Sequence, residues 1–108
     1  MMTNSISKKE LNLLLHASKV VLVDVRSSKE FKHLHIPTAL NIPLESIEKG
    51  LFQPEEHICI VTICASGGGR SKRAANILAS QFNNPVYSLD GGTYDWFELE
   101  IPKKSSVQ

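Results

Sequence analysis

The chain of 108 residues is long enough for one domain with its own core and too short for two. Its 12 basic and 11 acidic side chains leave a formal net charge of +1, which argues against a nucleic-acid partner because such proteins usually carry a basic excess. No apolar run approaches the roughly 18 residues that a membrane-spanning helix needs, and the polar segment 1–9 lacks the apolar core of a signal peptide. We therefore expect a cytoplasmic protein with no membrane partner. No long apolar helix requires a second subunit, so a monomer fits the sequence and the oligomeric state stays open.

Predicted strands and helices alternate along the chain. The capping box from Ser7 to Glu10 and the leucines after it predict the first helix. Apolar runs predict strands at 20–25, 39–42, 58–63 and 86–89, and further helices are predicted after Ser27, from Leu44, over 71–82 and after Thr93. Because this alternation favours parallel strands joined by right-handed crossovers, we expect an α/β fold with a mostly parallel central sheet of about five strands and helices on both faces. The ordered core should cover about 5–102, with a flexible tail at 103–108.

Cys64 directly follows the strongest predicted strand and opens a glycine-rich loop. Ligands of open α/β sheets bind beyond the carboxyl ends of the strands, where this loop lies. The glycines at 67–69 allow dihedral angles that turn backbone N–H groups inward, and such groups at a helix N-terminus bind anions. The helix N-terminus and the cationic Arg70 favour a reactive thiolate. We predict Cys64 as the nucleophile, with an anion-binding loop formed by Ala65, Ser66, Gly67, Gly68, Gly69, Arg70 and Ser71.

The other cysteine, Cys59, lies within the predicted strand and is interpreted as a core residue. Five strand steps would place it roughly 16 Å from Cys64, beyond the ~7 Å limit for a disulfide between Cα atoms. The spacing of the two cysteines matches neither a redox pair nor a zinc site, so we expect no metal.

Four segments resemble the signatures of the rhodanese-like domain family, and they occur in the family's order. They are Asp24-Val25-Arg26 with Glu30-Phe31, the segment 35–43 that resembles GHIPGAINIP, the loop from Cys64 to Ser71, and Gly91-Gly92 with Trp96. Each segment alone is a weak signal, but four in register over nearly the whole chain are specific.

The resemblance implies a single rhodanese-like domain over residues 1–108 that acts as a sulfurtransferase. In this family the cysteine takes a sulfane sulfur from thiosulfate or a persulfide donor, holds it as a persulfide, and passes it to cyanide or a thiol. Transferred to this sequence, Cys64 carries the sulfur and residues 65–70 surround it. The implied partners are a small anionic sulfur donor and a thiol acceptor, which can be a protein. No metal or organic cofactor is implied.

The sequence departs from the family pattern at three places. Leu34 and Thr38 stand where glycines are usual. Ala65 stands where thiosulfate-using members often have arginine, which disfavours thiosulfate as the physiological donor. The stretch from Cys64 to Arg70 spans seven residues instead of the usual six, and this length resembles the rhodanese-related cell-cycle phosphatases and arsenate reductases.

The longer loop leaves a second interpretation, a cysteine-dependent phosphatase or arsenate reductase in which Ser71 places a hydroxyl near the thiolate. Ile63 replaces the histidine that usually precedes the cysteine of those enzymes, and the loop contains no acid to protonate a leaving group. Both features favour sulfur transfer. A third interpretation is a binding module or a carrier that relays sulfur without turnover, and the presence of Cys64 argues against the binding module.

Three further residues either line the site or stabilise the structure. Asp24 and Arg26 stand at the end of a predicted strand, and we expect an ion pair between Arg26 and Glu30 that holds the following helix. His35 alternates with His33, so that one of the two can face the site, although a hydrogen-bonded surface histidine is the more common arrangement.

Overall fold

The computed structural model describes residues 4–99, and within this range the chain forms five strands and five helices. The strands are β1 (Asn4–Ile6), β2 (Val20–Asp24), β3 (Leu40–Asn41), β4 (Cys59–Ile63) and β5 (Val86–Leu89). The helices are α1 (Lys8–Ala17), α2 (Ser28–His33), α3 (Leu44–Glu48), α4 (Gly69–Gln81) and α5 (Gly92–Trp96). None of these helices is long and apolar enough to cross a membrane. The predicted flexible tail at 103–108 lies outside the described residues.

The strands form one parallel sheet in the order β1-β5-β4-β2-β3, which confirms the predicted α/β fold. Strand β4 lies in the centre, and all five of its residues are buried. Asp24 at the end of β2 is in register with Ile63 at the end of β4. The chain segments that follow these two strands therefore leave the sheet side by side, with Cys64 at its carboxyl edge.

The two faces of the sheet are covered by different helices, as predicted. Alternate β4 residues point to opposite faces, so Ile60 packs in one apolar cluster and Val61 in the other. The first cluster contains Ile47 of α3 and Leu78 of α4. The second cluster is completed by residues of the other helices, namely Leu11 of α1, Phe31 of α2 and Trp96 of α5.

Two helices begin at the capping boxes that the sequence contains. Ser7 Oγ accepts the Glu10 N–H at 3.0 Å, and Glu10 accepts the Ser7 N–H in return at 2.9 Å. Ser27 and Glu30 make the same reciprocal pair at the start of α2. These contacts bind backbone donors that a helix N-terminus leaves unpaired.

Other element boundaries differ from the predictions for local reasons. Helix α4 begins at Gly69 instead of Ser71. Gly67 has a positive φ, but Gly68 and Gly69 do not, so the helix can start two residues earlier than predicted. Helix α5 is capped by Gly91 in the left-handed region, while Thr93 lies buried inside it, so the predicted Thr93 cap is wrong. Strand β1 was not predicted, since only Ile6 of its three residues is buried and so short an edge strand shows no periodicity.

The turn between α2 and β3 contains the two positions where family members usually have glycine. Leu34 adopts an extended conformation with φ −164°, which any residue tolerates. Thr38, by contrast, has φ +72°, an unfavourable left-handed conformation for a β-branched residue. The departure from glycine at position 38 therefore strains this turn.

Candidate active site

Cys64 lies at the carboxyl edge of the sheet and is almost fully buried, with 3% of its surface exposed. The strand before it is fixed on one side by β2, whose following residue Val25 donates its N–H to the Ile63 carbonyl at 2.9 Å. The Cys64 Sγ lies 3.1 Å from the Ser71 Oγ and 3.9 Å from the Gly68 carbonyl oxygen. The thiol is therefore enclosed by the loop that follows it and by the first turn of α4.

Ser71 is fully buried, and both its backbone carbonyl and its side-chain hydroxyl form hydrogen bonds. Its backbone carbonyl accepts the Thr62 hydroxyl at 2.7 Å, which ties α4 to the centre of β4. Its Oγ donates to the Gly68 carbonyl at 3.2 Å while it accepts from the thiol. A single rotation about its Cβ–Oγ bond would turn this hydroxyl into a donor to a negatively charged sulfur.

Helix α5 fixes the beginning of the loop through its backbone. The Thr93 N–H donates to the Cys64 carbonyl at 2.9 Å, and the Tyr94 N–H donates to the Ala65 carbonyl at 3.1 Å. This approach requires glycine at position 92, because a Cβ there would lie 2.4 Å from the Cys64 carbonyl oxygen. The pair Gly91-Gly92 in the sequence motif therefore allows two polypeptide backbones to meet beside the thiol.

The amides of the loop are free to bind a ligand. Within residues 4–99, the N–H groups of 65–68 donate to no protein acceptor, and they lead directly into the N-terminus of α4. Gly67 adopts φ +78°, and a Cβ there would lie 2.5 Å from the Gly91 nitrogen. Gly68 and Gly69 have open space where a Cβ would lie. Unpaired amides at a helix N-terminus form a site for an anionic group.

The guanidinium of Arg70 is bound to a carboxylate across the site. Its Nη1 and Nη2 donate to the two Glu30 carboxylate oxygens at 2.8 Å and 3.1 Å. Mainly through this hydrogen bond, Arg70 lowers the pKa of Glu30 to about 2, and Glu30 raises the pKa of Arg70. Cys64 and Asp24 raise the Arg70 pKa further by Coulomb attraction. Arg70 thus acts on the site electrostatically while most of its charge is compensated by Glu30.

Comparison with known proteins agrees with this arrangement of fold and loop. A sequence profile of the rhodanese-like domain family matches residues 7–99. The chain belongs to the rhodanese-like domain family. The thiosulfate sulfurtransferase GlpE of Shewanella oneidensis is 33% identical to it over 93 residues, which cover 86% of this chain and 91% of that protein.

Solved structures of the family superpose closely on this rhodanese-like domain. A human single-domain sulfurtransferase matches with a TM-score of 0.78 and 27% identity, and the match covers 92% of this chain and 99% of that one. A rhodanese-like domain protein from Staphylococcus aureus matches with a TM-score of 0.75 and 31% identity, and covers 94% of this chain and 100% of its own. With these relatives, the chain is a sulfurtransferase of the rhodanese type.

The structure corrects the ion pair that was expected beside the site of this rhodanese-like domain. Arg26 does not pair with Glu30, which is bound by Arg70. It forms a buried ion pair with Asp24, with Nη2 and Oδ2 at 2.7 Å, and the same Nη2 donates to the Leu34 carbonyl at 2.6 Å. The pair is 3% and 0% exposed, so Asp24 and Arg26 hold the end of β2 against the turn after α2.

His35, the other residue considered for the site, is occupied elsewhere. Its ring stacks on Phe31 with a centroid distance of 3.8 Å, and its Nδ1 forms a hydrogen bond with the Phe31 carbonyl at 2.7 Å. The imidazole is exposed, and none of its contacts within residues 4–99 reaches the loop at 64–71. The structure thus brings Gly68 and Ser71 to the Cys64 thiol and leaves His35 on the surface, in the turn after α2.

Cys59 is buried in β4, and burial raises the pKa of its thiol, in agreement with its predicted packing role. Both cysteines are free. In the described part of the chain, no three His, Cys, Asp or Glu side chains group as metal ligands.

Several contributors to the site were not identified from the sequence. The sequence predicted an ion pair of Glu30 with Arg26, whereas Glu30 pairs with Arg70. Thr93 and Tyr94 contact the loop through backbone N–H groups, which every residue except proline has, so their side chains do not indicate this role. The motif Gly91-Gly92 was the available signal, since paired glycines mark a close approach of two backbones.

Proposed function

We propose that this sulfurtransferase moves a sulfane sulfur from thiosulfate or a persulfide donor to a thiol or cyanide, through a persulfide on Cys64. The observation that carries the proposal is the buried Cys64 thiol, 3.1 Å from the Ser71 hydroxyl and followed by the unpaired amides of 65–68. A nucleophile that must hold a charged sulfur needs donors that are already in place, and these groups supply them.

In the first step, the Cys64 thiolate attacks the sulfane sulfur of the donor. A new S–S bond forms, the donor S–S bond breaks, and with thiosulfate the sulfite leaves with the electron pair. The outer sulfur of the resulting persulfide carries negative charge, which the amides of 65–68 and the rotated Ser71 hydroxyl would stabilise. In the second step, an acceptor thiolate or cyanide attacks this outer sulfur and releases the Cys64 thiolate.

The donor is the less defined of the two substrates. Ala65 offers no charge to a sulfonate group, and Arg70 is engaged with Glu30. Thiosulfate is nevertheless the substrate in the name of the Shewanella relative, and this supports thiosulfate beside a persulfide as the donor. The two free cysteines favour a reducing compartment such as the cytoplasm as the place of the reaction.

The contact between Ser71 and Cys64 also supports the alternative of a phosphatase or arsenate reductase, which needs a hydroxyl beside the thiolate. That reaction further needs an acid for the leaving group. The Asp24 carboxylate is bound by Arg26, and no acidic side chain stands in the loop itself. Sulfur transfer, which needs no such acid, therefore has the stronger support.

The test is the intact mass of the reduced protein before and after exposure to thiosulfate or an organic persulfide. We expect the gain of one sulfur atom that cyanide removes, retained in the control Cys59→Ser and absent in Cys64→Ser. More than one thiocyanate formed per chain with excess donor and cyanide would establish turnover and exclude a carrier that only relays sulfur. No gain with either donor, together with hydrolysis of an aryl phosphate or reduction of arsenate, would contradict the proposal.

A further inference from the structure

A cavity of about 490 Å³ lies between α2 and α5. Its lining comes from the residues after β2, from α2 with the turn that follows it, and from α5, and none of the described residues 64–71 contributes to it. Its volume lies in the range of small-ligand sites, roughly 300–1,000 Å³. The cavity is therefore a candidate ligand site separate from the loop that holds the Cys64 thiol.

The wall of the cavity contains Arg26, which is only 3% exposed. Its Nε and Nη2 donate to the Asp24 carboxylate and the Leu34 carbonyl, whereas its Nη1 donates to no protein acceptor within residues 4–99. In the same range, the fully buried side-chain polar atom that lacks a partner is the Thr93 Oγ1, so the Arg26 Nη1 is not sealed inside the protein and faces the cavity. Its two N–H groups take their acceptor from the cavity, and an anionic oxygen is the strongest acceptor for a guanidinium.

The rest of the cavity carries an excess of positive charge. Its lining carboxylate, Glu30, is bound by Arg70 through two hydrogen bonds. The exposed side chains of Lys29 and Lys32 also line the cavity, and neither forms an ion pair within residues 4–99. Two uncompensated ammonium groups at one concave surface attract a ligand that carries negative charge.

The chemistry of these groups defines the class of ligand. The free buried donor is a single nitrogen, which matches the two oxygens of a carboxylate better than the three terminal oxygens of a phosphate. Leu34 and Tyr94, both half-buried, offer apolar surface for a hydrocarbon segment, and the exposed lysines can bind a second carboxylate. A cavity of this size with such walls selects a small molecule that carries two carboxylates on a short carbon chain.

We propose that the cavity between α2 and α5 is a binding site for a small organic dicarboxylate. One carboxylate accepts from the Arg26 Nη1, and the other lies beside the ammonium groups of Lys29 and Lys32. The hydrocarbon segment between them packs on Leu34 and Tyr94, so the bound molecule joins α2 to α5. This site is distinct from the loop that carries the proposed sulfur transfer, and it does not depend on that function.

The experiment titrates the reduced protein, without any sulfur donor, with succinate, butyrate and succinamide, which share a four-carbon chain and carry two, one and no negative charges. Binding is followed by NMR of the backbone amides and of the Arg26 guanidinium, so the buried donor is tested without a substitution that would unfold the protein. We expect saturable shifts of the Arg26, Leu34 and Tyr94 signals with succinate, weaker binding of butyrate and no binding of succinamide. Shifts confined to the amides of 65–68, or no saturable shift with succinate, would overturn the proposal.

The same titration of Lys29→Gln and Lys32→Gln tests the second carboxylate. Lys72→Gln is the matched control, since Lys72 is equally exposed and forms no ion pair within residues 4–99, but lies in the first turn of α4 and does not line the cavity. We expect each α2 variant to raise the Kd of succinate about twofold to fivefold, as the loss of one exposed ion pair does, and to change the Kd of butyrate less. Lys72→Gln should bind both probes like the wild type. Equal weakening of succinate and butyrate, or a control that matches the α2 variants, would mean attraction by net charge alone and would overturn the site.

Discussion

Arg70 and Glu30 form a two-point ion pair that joins the first turns of α4 and α2, although 40 positions separate them in the chain. Glu30 is at the same time the residue that completes the capping box with Ser27. One carboxylate therefore stabilises the start of α2 and fixes the guanidinium at the end of the active-site loop. The position of the loop and the stability of α2 are coupled through this side chain.

This coupling predicts a pH-dependent stability. The pKa of Glu30 is lowered from 4.5 to about 2, mainly by the hydrogen bond from Arg70. A carboxyl with a lowered pKa in the folded state contributes stability above pH 4.5, which is lost as the pH falls toward 2. Both side chains are more than one-third exposed, so solvent screening limits the contribution to at most about 1 kcal/mol.

We expect Glu30→Gln to lower Tm at pH 7 and to reduce the loss of Tm between pH 5 and pH 2. Thermal denaturation monitored by circular dichroism over this pH range is the measurement. Arg70→Gln should reduce the same pH dependence, because it removes the same ion pair. Strictly additive effects in the double variant would contradict the coupling.

The buried pair of Arg26 and Asp24 predicts a structural role for Arg26. Arg26→Ala would leave the fully buried Asp24 carboxylate without its partner and the Leu34 carbonyl without its donor, and we expect a loss of about 3–5 kcal/mol in the free energy of unfolding. Urea denaturation measures this loss. Asp24→Asn serves as the comparison, since it removes the charge and keeps a side chain of the same shape. A soluble Arg26→Ala that unfolds like the wild type but takes up no sulfur would instead place Arg26 in the reaction.

The fold was readable from the sequence where the local and the global signals agree. The run at 58–63 is buried at every position and apolar at all but Thr62, because β4 is covered on both faces. The Ser7 capping box is a local signal that marks the start of a helix. Strand β1 exists because Ser5 and Ile6 pair with β5, and a pairing partner leaves no mark on a segment of three residues. Strand β1 could be predicted only after the order of the strands in the sheet was known.

The site follows the same division. Cys64 and Ser71 are seven positions apart in one strand–loop–helix segment, so the chain itself predicts that they meet. The contact of Arg70 with Glu30 depends on how α2 packs beside α4, and two arginines compete for the carboxylates at the sheet edge. Sequence spacing favoured Arg26 for Glu30, whereas the buried Asp24 binds Arg26 and leaves Glu30 to Arg70.

The turn at Thr38 predicts a stabilising substitution. Thr38 is exposed and has φ +72°, a conformation that costs an L-residue about 1–2 kcal/mol and a glycine almost nothing. Glycine also has more conformational entropy in the unfolded chain, and this offsets part of the gain from the relieved strain. We therefore expect Thr38→Gly to stabilise the protein by about 0.5–1 kcal/mol, equivalent to about 2–6 °C in Tm. Differential scanning calorimetry measures the change. Thr38→Ala keeps the Cβ and should gain less, and a lower Tm for Thr38→Gly than for Thr38→Ala would contradict the assignment of strain.

The last prediction concerns the hydroxyl beside the thiol. Ser71→Ala would remove the Oγ at 3.1 Å from Cys64 Sγ, together with its hydrogen bond to the Gly68 carbonyl, and keep the Ser71 carbonyl that accepts the Thr62 hydroxyl. A hydrogen bond to a charged group contributes about 1.5–3 kcal/mol, so we expect the rate constant of persulfide formation to fall about tenfold to a hundredfold. Time-resolved intact mass with limiting donor gives this rate constant.

The matched control for that experiment is Ser80→Ala, the same chemical change near the other end of α4, where the exposed hydroxyl donates to the Ile77 carbonyl. It should form the persulfide at the wild-type rate. A reduced rate in Ser71→Ala with an unchanged Tm would assign the effect to the developing charge on sulfur, because a loss of packing would lower both quantities. Persulfide formation at the wild-type rate in Ser71→Ala would instead mean that the amides of 65–68 stabilise that charge without the hydroxyl.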